Sequence, residues 1–145
     1  MISYINKPST GITYTRLWTN DSPTTTRGAF TVTLSEAATN YDALRIVWKY
    51  NATANVTEET WSNSSVNAIA YYYDIRNKRN IIVSGTGQLN MGAVLYAQSY
   101  AYARRAYFTA DNKIYFSNAY QFQNSGTDTN TSMLIPLFID GVTNI

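Results

Sequence analysis

The segment Leu44-Arg-Ile-Val-Trp-Lys-Tyr50 decides the fold class of this chain. Successive side chains of a β-strand point to opposite faces, so the alternation along this segment can be read directly. One face carries Leu44, Ile46, Trp48 and Tyr50, and the other carries Arg45, Val47 and Lys49. A large apolar face opposite a mixed face predicts a half-buried β-strand.

The same period of two recurs towards the N-terminus. Phe30-Thr-Val-Thr-Leu34 alternates apolar residues with threonine, which predicts a strand with its threonines in water. Residues 12–18 alternate as well, with Ile12, Tyr14, Arg16 and Trp18 on one face. We expect these segments to form strands that pack on the central one.

Two further strands are predicted in the C-terminal half. Arg105-Ala-Tyr-Phe-Thr109 and Ile114-Tyr-Phe-Ser117 flank Asp111-Asn112. Asp and Asn tolerate the left-handed backbone of tight turns, so this pattern predicts a β-hairpin. Residues 133–140 form the last predicted strand, in which Pro136 lacks a backbone donor and indicates a sheet edge or a bulge.

Helical patterning is almost absent between these strands. The best helical candidate is the segment 35–42, with Ser35 as N-cap, and it is long enough for one or two turns at most. The polar segment 51–67 has the length of a functional or mobile loop. The chain is therefore predicted to be all-β, a single-domain antiparallel β-sandwich (jelly-roll-like) of roughly 7–10 strands over residues 11–145, preceded by an N-terminal arm of residues 1–10.

The composition excludes several classes of function. The chain of 145 residues has no Cys and no His, which removes disulfide scaffolds, thiol chemistry, Ser-His-Asp catalysis and the usual zinc sites. With 11 Lys+Arg against 9 Asp+Glu it lacks the basic footprint of a nucleic-acid-binding protein. The longest apolar run, residues 133–139, is far shorter than the ~20 residues of a membrane span, and residues 1–10 lack a signal-peptide pattern. We expect no cofactor, no nucleic-acid partner, no membrane insertion and synthesis without a leader.

The carboxylates suggest two alternative functions, glycoside hydrolysis and calcium binding. A glycosidase needs two of them across a cleft, and nothing in the sequence marks such a pair, so we expect no catalytic residues and no enzymatic activity. Asp111-Asn112 and Asp128-Thr-Asn130 offer hard oxygen ligands for calcium, but turn formation explains both, and we expect no metal site.

Tyrosine is the most informative residue type, with 13 copies. In a strand, Tyr71 and Tyr73 share one face and Tyr72 takes the other, so at least one of them is expected near the surface. Tyr96, Tyr100 and Tyr102 would share a face of another strand, opposite small residues. Tyrosine suits interfaces and sugar stacking because it buries area at low entropic cost and keeps a hydroxyl, although core filling explains these positions equally well.

The sequence contains two short basic clusters, Arg76-Asn-Lys-Arg79 and Arg104-Arg105. We expect them to be turn residues or intersubunit salt-bridge partners and not nucleic-acid contacts.

The segment Tyr14-Thr-Arg-Leu-Trp-Thr-Asn-Asp-Ser-Pro23, followed by residues 30–34 and Tyr41-Asp-Ala-Leu-Arg-Ile46, resembles a known family. It is similar to the opening of the β-rich C-terminal module of tail-fibre and baseplate-type, receptor-binding proteins of phages and prophages of Gram-positive bacteria. Residues 105–116 resemble the family's penultimate hairpin, and residues 130–141, with Ile135-Pro136, resemble its closing strand.

The resemblance implies a homotrimeric virion protein, assembled in the host cytoplasm and exposed on the particle. Its expected partners are other virion proteins, further copies of itself and host cell-wall polysaccharide. Attachment would occur by stacking of aromatic rings on sugars, and the candidate glycan-binding residues are Trp61, Tyr71, Tyr73, Arg76, Tyr100 and Tyr102. The alternative is a capsid decoration or head-fibre protein that binds other virion proteins through its N-terminal arm and trimer faces, and the third hypothesis is a glycan-cleaving enzyme.

Overall fold

A computed structural model of the protein describes residues 11–63, 67–86, 89–97, 99–123 and 126–145. The predicted N-terminal arm of residues 1–10 lies outside this part of the chain. The described residues form nine strands: β1 (Thr13–Thr19), β2 (Phe30–Thr33), β3 (Ala43–Asn51), β4 (Ala68–Asp74), β5 (Ala93–Ala97), β6 (Tyr100–Ala110), β7 (Lys113–Gln123), β8 (Gly126–Thr129) and β9 (Met133–Thr143).

The strands form two antiparallel sheets that pack face to face. Sheet A has the order β1-β9-β3-β4, and sheet B has the order β2-β7-β6-β5, with β8 paired to β7. The predicted all-β sandwich is therefore confirmed. No helix in the described ranges is long and apolar enough to span a membrane.

The core lies between the sheets and contains the predicted inner face of β3. Leu44, Ile46 and Trp48 are completely buried there. The rings of Trp48 and Phe116, the latter from β7 of sheet B, pack in a T-shaped arrangement with their centres 5.5 Å apart. The alternation along residues 44–50 thus identified the residues that join the two sheets.

The predicted hairpin is also confirmed, and the proline in the last strand marks a bulge. Ala110 pairs with Lys113, so Asp111-Asn112 forms the turn between β6 and β7. β9 is an interior strand of sheet A, which rules out the sheet-edge interpretation of Pro136. The register of β9 against β3 slips by one residue between Phe138 and Pro136, and this bulge accommodates the missing donor.

A second bulge changes the predicted faces of β1. The register of β1 against β9 shifts between Arg16 and Trp18. Leu17 is buried in the core, and Trp18 also packs against it, at 6.4 Å from Phe116. The expectation that Trp18 shares a face with Tyr14 and Arg16 is therefore wrong, because one extra residue in the strand reverses the alternation.

The tyrosines near residue 100 are likewise divided between two strands. Ala97 pairs with Tyr100, so the chain reverses direction between β5 and β6. Tyr102 lies opposite Leu95 in the core, whereas Tyr96 lies opposite Ala101 on the outer face of sheet B. The prediction of one continuous strand carrying all three tyrosines on one face is wrong for this reason.

Helical structure is sparse and lies partly elsewhere than predicted. The segment 35–42 contains a single 3₁₀ turn, Ala38–Asn40. A second 3₁₀ turn covers Trp61–Asn63, and α1 covers Arg79–Ser84. Helix α1 ends at Gly85 in the left-handed conformation, and a side chain at that position would collide with the backbone of Thr109.

The expectation of a surface role for Arg104 is wrong. Its side chain is buried within one chain, where it donates to the carbonyl oxygens of Gly28, Ser117, Arg27 and Met133 at 2.8–3.1 Å. Burial, with a smaller effect from the charge of Arg27, lowers the pKa of Arg104 to about 10. Arg104 thus ties β6 to β7, β9 and the chain before β2, while its neighbour Arg105 stays exposed.

Candidate glycan-binding surface

One row of residues crosses the outer face of sheet A. Asp140 of β9 pairs with Arg16 of β1 on one side and with Arg45 of β3 on the other. Arg45 in turn pairs with Tyr72 of β4, which completes the row. Residues that pair across antiparallel strands point to the same side of the sheet. Since Leu44 and Ile46 face the core, Arg45 and its whole row face away from it.

Asp140 is the centre of this row and is only 2% exposed. Its Oδ1 accepts a hydrogen bond from Arg16 Nε at 2.6 Å. Its Oδ2 accepts from Arg45 Nη2 at 2.6 Å and from Arg45 Nε at 3.2 Å. One buried carboxylate therefore fixes two guanidinium groups, and Arg16 in addition pairs with Glu58.

Aromatic rings surround the two guanidinium groups. The guanidinium carbon of Arg45 lies 3.7 Å from the ring centre of Tyr14 and 5.2 Å from that of Trp61. The guanidinium carbon of Arg16 lies 3.7 Å from the ring centre of Phe138. Stacking of this kind attracts each cation to the ring face and helps to hold both guanidinium groups in place.

Two of the rings beside Arg45, those of Tyr14 and Tyr72, are open to solvent. Tyr72 is 53% exposed and Tyr14 is 40% exposed. We call the group Tyr14, Arg16, Arg45, Trp61, Tyr72 and Asp140 the sheet A platform. It combines flat apolar rings with charged donors on one surface.

The hydroxyl groups of the platform are ordered by hydrogen bonds. The hydrogen bond from Tyr14 to Tyr72, followed by burial, raises the pKa of Tyr14. Burial would raise the pKa of Tyr72, but the hydrogen bonds from Arg45 and Tyr14 outweigh it and lower that pKa. Because the Tyr72 oxygen accepts both of these bonds, its own O–H remains able to donate to a ligand.

Arg45 keeps its positive charge in this setting. Burial by itself would lower the pKa of Arg45, but the hydrogen bonds to Tyr72 and Asp140 outweigh it and raise that pKa. Arg45 is thus a permanent donor at the centre of the platform.

The loop after β3 covers the sheet next to the platform. Val56 of this loop packs with Val47, Ala68, Leu137 and Phe138 in a second apolar cluster, on the side of sheet A away from the main core. Trp61 packs at the edge of this cluster, 6.0 Å from the Phe138 ring. The polar segment predicted as a functional or mobile loop therefore has, in its described part, an apolar anchor that positions Trp61.

A cavity of about 230 Å³ opens beside the same loop. Lys49 and Glu58 are among its lining residues, so Glu58 lies between the cavity and Arg16 of the platform. The Lys49 ammonium is buried and donates to the carbonyl oxygens of Pro23 and Ala52 at 2.9 and 3.1 Å. Burial lowers the pKa of Lys49, whose contacts tie β3 to the loops at this end of the sheet.

Of the candidate residues predicted from sequence, Trp61 alone belongs to the platform. Tyr71 and Tyr73 face sheet B, where their hydroxyls donate to the carbonyl oxygens of Val94 at 3.1 Å and Gly92 at 2.8 Å. Tyr100 and Tyr102 also pack in the core between the sheets. These four tyrosines join the sheets, which is the core-filling alternative for those positions.

Arg76, the sixth candidate, lies after β4 on the surface. It pairs with Asp74, which is two residues before it, at 2.7 Å. The described residues place no aromatic ring over its guanidinium. Arg76 is therefore an exposed, locally paired side chain outside the platform.

Sequence reasoning missed Tyr14, Arg16, Arg45, Tyr72 and Asp140. The alternation of residues 71–73 already places Tyr72 on the other face of the strand from Tyr71 and Tyr73. Arg45 also lay on the predicted outward face of β3. What was missing was the register, which alone shows that Arg16, Asp140, Arg45 and Tyr72 form one row.

The carboxylates of the described residues do not gather into a metal site, since no three potential ligands from Asp, Glu, His or Cys come together there. Asp111 belongs to the β6–β7 turn, and Asp128 accepts a hydrogen bond from Gln123 at 2.7 Å. No protein-family model matches the chain, and no curated protein is significantly similar to it.

Proposed function

We propose that this chain is a non-enzymatic structural protein on the exterior of a phage particle, and that the sheet A platform attaches the particle to glycans of the host surface. The observation that carries the attachment role is the pair of solvent-exposed rings, Tyr14 and Tyr72, held around the fixed guanidinium of Arg45. The virion role is supported by the sequence resemblance to tail-fibre and baseplate-type modules.

The chemistry of the platform suits a sugar. The apolar faces of a pyranose ring pack on aromatic rings, and sugar hydroxyls accept hydrogen bonds from guanidinium and phenol groups. Arg45 and Tyr72 supply such donors beside the exposed rings. Because Asp140 and the neighbouring strands hold these groups before binding, little conformational entropy is lost when a ligand arrives.

The same geometry disfavours the glycosidase alternative at this site. Both oxygens of Asp140 are occupied by arginine donors, and Asp140 is buried. Glu58, the other carboxylate that contacts Arg16, is itself paired with that arginine. Neither carboxylate is free to protonate a glycosidic oxygen or to activate water, as hydrolysis requires.

A glycan array of Gram-positive cell-wall polysaccharides tests the attachment role, followed by titration of the purified protein with the soluble oligosaccharide that binds best. We expect Tyr72→Ala to weaken the affinity per site roughly two- to twelve-fold, which corresponds to the ~0.5–1.5 kcal/mol of one aromatic contact. The matched control is Tyr96→Ala, which removes an exposed strand tyrosine from the opposite sheet. Failure to bind any glycan, or equal losses in both variants, would contradict this role.

The virion role has a separate test. An antibody against the protein, applied with gold labels to particles of the phage or prophage that encodes the chain, is expected to decorate the tail tip. Labels spread over the capsid, together with a negative array, would support the capsid decoration alternative. Particles without label would contradict both virion assignments.

A further inference from the structure

The cavity beside the loop after β3 opens on the same face of sheet A as the platform. The sheet contributes Lys49 of β3 and Leu137 of β9 to its lining, and two loops contribute the rest, within the ranges 20–24 and 54–59. Lys49 lies four positions after Arg45, and the pairing of β3 with β4 is regular between them, so both side chains point to the outer side of the sheet.

Two contacts connect the cavity to the platform. Glu58 lines the cavity and pairs with Arg16 of the platform. Thr57 also lines it, and its carbonyl oxygen accepts a hydrogen bond from the backbone N–H of Trp61 at 3.0 Å. A ligand on the platform can therefore place one of its substituents in the cavity.

The cavity has an apolar part and room for a small group. Its apolar lining residues are Pro23, Ala54, Val56 and Leu137, and the last two belong to the second apolar cluster on this side of sheet A. Its volume of about 230 Å³ corresponds to roughly seven water molecules at ~30 Å³ each. A substituent of four or five non-hydrogen atoms fits this space.

Lys49 provides a hydrogen-bond donor at the cavity. Its ammonium has three N–H groups, and two of them donate to the carbonyl oxygens of Pro23 and Ala52. Among the described residues, no carboxylate lies within ion-pair distance of Lys49. A buried donor without an acceptor is costly, so an oxygen atom of a ligand in the cavity would gain the third bond.

The acidic residues at the cavity disfavour a negatively charged oxygen in that role. Glu58 and Glu59 both line the cavity, and Glu59 has no cationic partner among the described residues. Carboxylates repel an anionic ligand and accept hydrogen bonds from N–H groups. The ligand group that suits this lining has a neutral carbonyl oxygen, an N–H donor and an apolar end.

The acetamido group, CH₃–CO–NH–, has all three of these features. We propose that the cavity binds the acetamido group of an N-acetylated sugar, whose carbonyl oxygen accepts the third N–H of Lys49 and whose ring lies on the platform. The methyl group then packs on Val56 and Leu137. This inference rests on the function proposed for the platform and adds the class of glycan that the platform takes.

Paired methyl glycosides test the inference, because the two members of a pair differ only in a hydroxyl or an acetamido group at carbon 2. The gluco, galacto and manno pairs are titrated into ¹³C-labelled protein. We expect at least one acetamido sugar to bind roughly tenfold more tightly than its hydroxyl partner and to shift the Val56 methyl signals in a saturable manner. The methyl signals of Val83, which is exposed on α1, should stay in place.

The outcomes separate this inference from the proposed function. Glycan binding on the array without a shift of Val56 by any acetamido sugar, or with equal affinity for both members of every pair, would overturn the acetamido site and leave the attachment role standing. A stronger shift of Val56 by methyl glucuronide would show that Lys49 takes an anion and would also overturn it. A negative array contradicts the attachment role itself.

Two variants locate the preference in the cavity. Lys49→Met removes the donor and should bring the affinity ratio of the pair close to one, whereas Lys113→Met, on the exposed surface of β7, should leave the ratio unchanged. Ala54→Leu keeps Lys49 and its contacts but fills the cavity, and it should abolish the preference as well. A folded Lys49→Met or Ala54→Leu protein that still prefers the acetamido sugar would overturn the proposal.

Discussion

Removing the charge of Asp140 should loosen the whole platform and destabilise the fold. Asp140→Asn keeps the shape of the side chain and one acceptor oxygen, but it turns an NH₂ group towards a guanidinium donor. Three charged hydrogen bonds from Arg16 and Arg45 end on Asp140 in the wild-type protein. Such bonds contribute about 1.5–3 kcal/mol each, and breaking one partner of a buried ion pair costs about 3–5 kcal/mol.

We expect a loss near the lower end of that range, because Arg16 is partly exposed and water can replace its partner. A loss of about 3 kcal/mol corresponds to a fall in Tm of roughly 6–12 °C for a chain of this length. Urea and thermal denaturation followed by circular dichroism measure both quantities. The control is Asp74→Asn, which breaks an exposed pair with Arg76 and should leave the Tm unchanged.

The reasoning would be refuted by Asp140→Asn losing less than about 1 kcal/mol, or no more than Asp74→Asn does. A second consequence is expected in binding. The variant should bind the array-selected glycan more weakly than the wild-type protein even at temperatures where both are folded, since Arg45 is no longer held.

Two further predictions concern groups inside the sandwich. Arg104→Met should lower the free energy of unfolding, measured in urea, by more than about 3 kcal/mol, because four carbonyl acceptors lose their donor inside the protein. Arg105→Met, at the exposed neighbouring position, should change the free energy of unfolding little. Equal effects of the two substitutions would contradict the structural role of Arg104. Burial raises the pKa of Tyr73 above its usual value near 10, so above pH 10 the unfolded state ionises this residue while the folded state does not. The contribution of Tyr73 to the free energy of unfolding should therefore be fully present below pH 10 and be lost as the pH rises beyond it. Tyr73→Phe should flatten this fall in a series of thermal melts, and an unchanged slope would contradict the assignment.

Strand alternation predicted the elements of this fold well, and it failed where single residues are inserted. Residues 44–50 and the turn at Asp111-Asn112 follow local rules that are visible in sequence. The bulge beside Leu17 reversed the face of Trp18, because alternation holds only while each residue has one partner. The turn between Ala97 and Tyr100 is not visible in the sequence, because the alternation of tyrosines continues through it.

The candidate surface was harder to predict, for a related reason. Tyr71 and Tyr73 are the candidate binding residues by sequence, but their hydroxyls donate to backbone carbonyls of sheet B, and Tyr72 is the ring of the triplet that faces solvent. Alternation gives two faces and does not say which one meets the other sheet. Asp140 was one of nine acidic residues in sequence, and only the register of β9 between β1 and β3 shows that it holds two arginines.

The most direct test of the sheet A platform uses the indole signals of the three tryptophans in ¹⁵N-labelled protein. Trp61 lies in the platform, whereas Trp48 is buried between the sheets and serves as an internal reference. When the oligosaccharide selected by the array is added, we predict that the Trp61 indole signal shifts in a saturable manner while the Trp48 signal stays in place. Saturable binding that leaves the Trp61 signal unmoved would contradict the assignment of the platform as the glycan site.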